Sequence, residues 1–171
     1  MIYIYNDYGG THTTVLAAAF HLKKLPRNVE LSKEQILNTA YFNKLIASDM
    51  GKIIFHGVDD EGHSVYTVGR GNSKFFVPGL KNLFEILEKG IGTGERIIFS
   101  NTSPTVPLSM TFGGLFSRRL GIDFIGVPLL VKGAKQASAQ IVHLVEQTKE
   151  IAKQSDQTVV VLENKKDFLY S

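Results

Sequence analysis

Residues 2–20 read IYIYNDYGGTHTTVLAAAF. The aromatic and β-branched start predicts a short buried strand over residues 2–5. The alanine-rich remainder predicts an apolar helix from about Thr13 to Lys24, ending before Pro26. A helix that begins directly after a strand presents unpaired backbone N–H groups, which attract anions. This stretch therefore predicts an α/β fold with an anion-binding junction near the amino end.

The rest of the chain alternates helical and extended patterns. We expect helices over about 33–47, 78–89, 103–120 and 135–153, and strands over 52–58, 64–69, 95–100, 122–131 and 158–162. This order predicts an α/β three-layer sandwich with a mostly parallel central sheet and an antiparallel hairpin at its edge. We expect one domain over residues 1–163, and a loose C-terminal tail over 164–171.

Composition excludes several classes of protein. Hydrophobic residues make up 43% of the chain and charged residues 20%, which is typical of a globular protein. No apolar run is long enough to cross a bilayer. The absence of cysteine excludes disulfides and thiolate catalysis. A net charge of +3 gives little support for a nucleic-acid partner. We therefore expect a cytoplasmic protein without a membrane partner, and homo-oligomerisation stays open.

The residue types of the first loop suit a phosphate group. Gly9 and Gly10 can adopt positive φ and let a ligand approach the backbone. Thr11, Thr13 and Thr14 offer hydroxyl donors, and the helix dipole favours negative charge nearby. The alternative is an ordinary strand–helix turn with glycines for geometry and a threonine cap. The loop matches neither the Walker A pattern nor G-x-G-x-x-G.

Asp7 and His12 are the candidate catalytic residues. His12 could hold a phosphate as a cation or move a proton. Asp7 could act as a base, as a magnesium ligand or as a local cap, and magnesium is the one cofactor the residues suggest. We expect a protein that binds a phosphorylated or nucleotide-like small molecule, with phosphoryl or nucleotidyl chemistry if it is an enzyme.

Two later segments could complete this site. The loop of residues 100–104 follows a predicted strand, and loops at the carboxyl ends of parallel strands line the ligand crevice. Arg118 could pair with a phosphate in bidentate fashion. It could equally be a surface charge favoured by the end of a helix.

The predicted hairpin carries His56, Asp59, Asp60 and His63, which are potential metal ligands by residue type. A four-residue loop would place both histidines on one face of the sheet, and a three-residue loop would place them on opposite faces. The same residues also suit an ordinary turn, and we assign no metal site.

A second class of function is a non-enzymatic regulatory or assembly protein that acts through protein contacts. Phe75, Phe76, Phe112 and Phe116 could face a partner. Aromatic residues of this kind also serve as core residues.

Several segments resemble an uncharacterised bacterial family, a domain of unknown function known mainly from spore-forming Firmicutes. They include YGGTHTT at residues 8–14, AAAFHL at 17–22 and GGLFSR at 113–118. The resemblance covers most of residues 1–145 and implies no established activity. Family members carry a cysteine where this chain has Asp7, so thiol chemistry is not expected here.

The strand–loop–helix layout is also similar to the phosphate loop of low-molecular-weight tyrosine phosphatases. In that loop a cysteine comes first and arginine-serine comes last. Asp7 and Thr13-Thr14 stand at those places in this chain. The nucleophilic cysteine and the arginine are both missing, and an aspartate cannot readily attack a phosphate dianion that it repels. We therefore do not expect that phosphatase chemistry, and phosphate binding by the loop stays open.

Overall fold

The computed structural model of the chain describes residues 1–164. Its strands are β1 (Ile2–Asp7), β2 (Ile54–Val58), β3 (Ser64–Gly69), β4 (Ile97–Asn101) and β5 (Val159–Leu162). Its α-helices are α1 (Thr13–His21), α2 (Lys33–Asn38), α3 (Phe76–Ile91), α4 (Leu108–Gly114) and α5 (Asp123–Gln154). Two 3₁₀ turns cover Ala47–Asp49 and Ser103–Thr105, and a π-helical turn, Leu115–Arg119, follows α4.

The strands form one sheet in the order β2-β3-β1-β4-β5. β2 pairs with β3 in antiparallel fashion, and the other neighbours are parallel. The prediction of a mostly parallel sheet with an antiparallel hairpin at its edge is confirmed. The chain leaves β1 towards β3 and later crosses back to β4. Connections therefore diverge at the carboxyl ends of β1 and β4, which is where open α/β sheets form their ligand crevice.

Side chains of β1 alternate between two layers of helices, as a pleated strand requires. Tyr5 joins a buried cluster with residues of α1 and α5, whereas Ile4 joins a second cluster that includes Val77 of α3. Helices therefore cover both faces of the sheet. This confirms the three-layer sandwich, with α1 and α5 on one face and α3 on the other.

The prediction of a strand over residues 122–131 is wrong, because this segment forms the start of α5. Its β-branched composition favours a strand, but its small residues let the helix pack closely on α4. A Cβ built on Gly126 would lie 2.5 Å from the backbone nitrogen of Ser117, and one built on Gly133 would lie 2.7 Å from the Cβ of Met110. Tertiary packing therefore overrides local propensity here, and the helix accepts Pro128 within it.

Other helix bounds also differ from those expected. α2 ends at Asn38 although its capping box, Ser32 with Gln35, is present as the sequence indicates. The helix expected over 103–120 is interrupted, since Pro107 holds Val106 in an extended conformation and α4 begins only at Leu108. α3 is longer than expected, and it ends at Ile91, just before Gly92, whose φ is +65°.

The predicted C-terminal tail, residues 164–171, lies outside the described residues except for Asn164. The side-chain amide of Asn164 donates to the hydroxyl of Ser100 at 2.9 Å and to the backbone oxygen of Asn101 at 3.1 Å. The chain is therefore tied to β4 at this residue.

Within residues 1–164, none of the helices combines the length and the apolar character that a bilayer span requires.

The close contact between α4 and α5 leads to a stability prediction. We expect Gly133→Ala to lower the free energy of unfolding by about 1–3 kcal/mol, because the added methyl group has no room beside Met110. Gly79→Ala, in α3, is the matched control. A Cβ at Gly79 would meet nothing within 4 Å, so we expect a gain of about 0.5–1 kcal/mol. Urea unfolding measures both, and equal shifts of the two midpoints would contradict the packing explanation.

Candidate functional site

The carboxylate of Asp7 lies at the centre of the loop between β1 and α1. Its Oδ1 accepts the backbone N–H of Gly10 at 2.5 Å, and its Oδ2 accepts the hydroxyl of Thr13 at 2.8 Å. Asp7 is buried. Both hydrogen bonds go to an ionisable acceptor, which makes them stronger than neutral ones. The loop therefore already holds an anion of its own beside the first turn of α1.

Thr13 connects this loop to the next strand of the sheet. Its hydroxyl lies 2.9 Å from the hydroxyl of Thr102, and the backbone N–H of Thr102 donates to the oxygen of Asn6 at 2.8 Å. The loop at residues 100–104 therefore lies beside the first loop, as the sequence predicts. Both loops meet at the carboxyl ends of β1 and β4.

Thr11 and Thr14 point away from solvent. The hydroxyl of Thr11 donates to the backbone oxygen of Tyr41 at 2.8 Å and accepts the N–H groups of Lys44 and Leu45 at 3.2 Å. Thr14 has no exposed surface, and its hydroxyl has no hydrogen-bond partner among the described residues. Thr11 thus fixes the segment after α2 over the start of α1.

Gly10 is required by packing between backbones. Its φ is +70°, and an added Cβ would lie 2.5 Å from the backbone nitrogen of Gly69. Gly9 is different, because the nearest atom to its added Cβ would be 3.9 Å away. Of the two glycines, only Gly9 leaves space for a ligand at the backbone.

Asn43 joins the first loop to the turn after α4. Its N–H donates to the oxygen of Thr11 at 3.1 Å, and its own backbone oxygen accepts a hydrogen bond from Nη1 of Arg118 at 2.8 Å. Its side chain contacts Nε2 of His12 at 3.2 Å through Oδ1, and donates to the hydroxyl of Ser117 at 2.8 Å through Nδ2. Asn43 has φ of +53°, a region that asparagine tolerates better than most residues.

The protonation of His12 follows from these contacts. Because Asn43 uses its nitrogen for Ser117, its oxygen faces His12, and Nε2 of His12 must donate. Burial lowers the pKa of His12, although the hydrogen bond to Asn43 and the charge of Asp7 act in the opposite direction. His12 is therefore a neutral imidazole at neutral pH, better suited to accept a proton than to hold a phosphate by charge.

The residues predicted to catalyse a reaction or to bind phosphate differ in their access to solvent. Those that are buried are Asp7, Gly10, Thr11, Thr13 and Thr14, whereas Gly9 and His12 are half-buried and Arg118 is exposed. Three cavities of about 430 to 550 Å³ lie elsewhere, and none of the three is lined by residues 7–14. A ligand could therefore reach the rim of this junction, but not its threonine hydroxyls without movement of the loop.

A second polar cluster lies on the same face of the sheet, around Asp59. Its Oδ2 accepts Nε2 of His21 at 3.0 Å and Nζ of Lys149 at 3.1 Å, and its Oδ1 accepts the N–H groups of Glu61 and His63 at 2.9 Å. Nδ1 of His21 in turn accepts the hydroxyl of Tyr5 at 2.7 Å. The cluster fastens the hairpin loop to α1, β1 and α5.

Ionisation in this cluster follows from burial and from the donors around Asp59. Burial alone would raise the pKa of Asp59, but the hydrogen bonds from His63, His21 and Lys149 hold that pKa well below its usual range. Burial lowers the pKa of His21 to about 4. Burial also raises the pKa of Tyr5 well above its usual value. The native pattern is thus an ionised Asp59 with a neutral His21 and a neutral Tyr5.

The hairpin has neither of the two loop lengths expected from the sequence. Val58 pairs with Ser64, so the loop covers five residues, 59–63, and a bulge separates Phe55 from Gly57. His56 contacts Thr67 at 2.8 Å, and the ring of His63 lies 5.8 Å from that of Tyr3. Both histidines lie on the face of the sheet that α1 covers. Within residues 1–164, no three His, Asp or Glu side chains are arranged to hold a metal.

Sequence reasoning missed Asn43 and Ser117. Asn43 lies in a segment that we expected to be helical up to residue 47, and Ser117 lies in the predicted helix over 103–120. The hydroxyl of Ser117 donates to Oδ1 of Asp123 at 2.5 Å, which extends the contacts of Asn43 to the start of α5. The sequence carries one signal, since asparagine is common at positive φ. It gives no indication of which segments it would join.

A family described as "Protein of unknown function" (DUF3189) matches residues 2–150. The chain belongs to this family. The match runs from β1 into α5, and so includes the first loop, Asn43 and Arg118. It confirms the resemblance to an uncharacterised family, while the similarity to the phosphatase loop stays a prediction. No curated protein and no solved structure matches this DUF3189 protein.

The neutral state of His21 leads to a prediction of pH-dependent stability. His21 has a pKa of about 4 in the folded protein and about 6.5 when unfolded. The unfolded state therefore binds a proton first as the pH falls. We expect the contribution of His21 to the free energy of unfolding to be constant above about pH 6.5 and to decrease by roughly 3 kcal/mol on going down to about pH 4.

Urea unfolding at several pH values measures this slope. His56 also has a pKa of about 4, lowered first by burial and then by the charge of Lys24, so it contributes to the slope. His21→Gln and His56→Gln are therefore compared with the wild type. A His21→Gln variant whose slope equals that of the wild type would show that the pKa of His21 is not lowered in the folded protein.

Proposed function

We propose that this DUF3189 protein binds a small phosphorylated or nucleotide-like molecule at the rim of the junction between β1 and α1. The observation that carries the proposal is the convergence of His12 and Arg118 on Asn43, beside the first turn of α1. The ligand would contact Gly9, His12 and Arg118, while the buried threonines keep the loop in shape.

The sheet topology supports this location. The junction lies at the carboxyl ends of β1 and β4, where the chain connections diverge. α1 begins without a side-chain cap, so its first backbone N–H groups and its dipole favour an anion. Asp7 offsets part of this attraction, so the ligand must also use the positive charge of Arg118.

If the protein is an enzyme, His12 is the residue suited to move a proton. Its pKa is lowered, and its Nε2 is held by Asn43, which leaves Nδ1 as the basic nitrogen. Asp7 is less suited, because both of its oxygens already accept hydrogen bonds from Gly10 and Thr13. The reaction class would be phosphoryl or nucleotidyl transfer. His12 would be the base, placed next to the phosphate group of the ligand.

Calorimetric titration with a panel of nucleotides and sugar phosphates tests the proposal. We expect one class of ligand to bind, and Arg118→Ala to weaken that binding about tenfold because one charge-assisted contact is lost. His12→Ala should weaken it by a smaller factor.

Arg119→Ala is the matched control, since Arg119 is an exposed neighbour with the same charge. Binding that is equally affected by both arginine substitutions would reflect general charge rather than this site. Binding that survives Arg118→Ala, His12→Ala and Thr13→Ala unchanged would exclude the junction.

As an alternative we propose an assembly role, favoured by one exposed apolar stripe. Leu108, Phe112 and Leu115 are 76%, 52% and 38% exposed, and their spacing puts them on one side of the helix. Met110 and Gly113, on the opposite side, pack against α5. Phe75 is also exposed at 83%, whereas Phe76 and Phe116 are half-buried.

Light scattering at micromolar concentration tests this alternative. If the stripe joins two copies of the chain, we expect a mass above that of the monomer, and Phe112→Ser should restore the monomer. Ile86→Ser, at an exposed position of α3, is the control that should leave the mass unchanged. A wild-type protein that stays monomeric would exclude self-assembly through α4.

A further inference from the structure

The opposite face of the same sheet edge carries a second set of polar residues. Ile4, Val68 and Phe99 belong to the buried cluster beneath α3. Because side chains alternate along a strand, the residues two positions further on lie on the same face. In β1 and β4 these residues are Asn6 and Asn101. Arg70 comes directly after the last residue of β3, beside the carboxyl end of β1.

Asn6 is buried, yet its amide is unused. Its side chain is 2% exposed, and its amide has no hydrogen-bond partner among residues 1–164. Among residues 1–164, the polar side-chain atoms that are both fully enclosed and without a partner belong to Tyr3, Thr14 and His63. Because Asn6 is not one of these residues, its amide must keep some contact with solvent. An amide in that position, without a protein partner, is available to donate to a bound acceptor.

Arg70 brings a positive charge to the same place. Its backbone N–H donates to the oxygen of Asp7 at 2.9 Å, so the chain continues beside β1 after β3 ends. Its side chain is half-buried and makes no ion pair or hydrogen bond within the described residues. A guanidinium group in that state is available to a carboxylate or phosphate.

The start of α3 completes the arrangement. Val77, in its first turn, packs in the same cluster as Ile4 and Val68, so α3 begins over the face of the sheet to which Asn6 belongs. α3 has 16 residues and begins without a side-chain cap. Pro78 has no N–H group, which leaves the amides of Phe76 and Val77 as its terminal donors.

Asn101 binds a carboxylate of the protein itself, that of Glu163, at this edge of the sheet. Its Nδ2 donates to the carboxylate of Glu163 at 2.9 Å, and its Oδ1 accepts the N–H of Ser103 at 3.0 Å. One of the two N–H donors of the Asn101 amide is therefore used by Glu163. Glu163 is exposed and would repel an incoming anion at short range.

We propose that Asn6, Arg70 and the first turn of α3 form a binding site for a small oxyanion, the phosphate or carboxylate group of a ligand. Arg70 supplies the charge, Asn6 donates one directed hydrogen bond, and the dipole of α3 favours the negative group. The site does not depend on the proposed function. Asn6 and Asp7 are adjacent in β1 and lie on opposite faces of the sheet, so the two sites use different helices.

Titration of the ¹⁵N-labelled protein with inorganic phosphate, at constant ionic strength, tests this site. We expect chemical-shift changes at the side-chain amide of Asn6 and at the backbone amides of Phe76 and Val77. Arg70→Ala should weaken phosphate binding about tenfold. Glu163→Gln should strengthen it about two- to fivefold, since a like charge is removed. Acetate in place of phosphate tells which oxyanion the site prefers.

Arg119→Ala is again the charge-matched control and should leave the titration unchanged. Arg70 and Glu163 are not core residues, so these variants remain informative if Asn6→Ala fails to fold. Shifts confined to His12, Thr13 and Thr14 would overturn this inference and leave the proposed function standing. Absence of any shift at millimolar phosphate would also overturn it, whatever the calorimetric panel shows for the other junction.

Discussion

The carboxylate of Asp7 holds the end of β1, the glycine turn and the start of α1 in one arrangement. It accepts the amide of Gly10 and the hydroxyl of Thr13, and Thr13 extends the contact to Thr102 beyond β4. Each hydrogen bond to a charged acceptor contributes about 1.5–3 kcal/mol. The turn can therefore stay tight without an external ion. As a result, a ligand of α1 must approach from the rim, where Asp7 repels it and Arg118 attracts it.

The two candidate sites lie on opposite faces of the sheet because they use adjacent residues of β1. Asp7 turns towards α1 and Asn6 towards α3, because successive side chains of a strand point to opposite faces. On the α1 side the loop supplies its own anion, and its donors are largely occupied. On the α3 side the amide of Asn6 and the guanidinium of Arg70 have no partner among the described residues. On one face of this sheet edge, the loop donors are thus occupied by Asp7 and only the rim is accessible. On the other face, the donors of Asn6 and Arg70 remain available to a ligand.

Asp59 performs a different task on the face covered by α1 and α5. It is an ionised carboxylate, 8% exposed, with donors from the hairpin loop, α1 and α5 around it. Removing one partner of a buried charge costs several kcal/mol, since the remaining group loses its compensation. The cluster therefore fixes the position of the edge hairpin. Both carboxylate oxygens of Asp59 are used in this way.

The sequence alone determined the fold class, the edge hairpin and the meeting of two polar loops, because these depend on local periodicity and on the order of strands and helices. It did not determine the start of α5, where β-branched residues favour a strand but Gly126 and Gly133 allow close packing on α4. Nor did it reveal Asn43, Ser117 and Asn6 as site residues. Asn43 and Ser117 form hydrogen bonds with residues distant in the chain, whereas the side chain of Asn6 has no partner among the described residues. Only the tertiary structure decides which polar groups form hydrogen bonds.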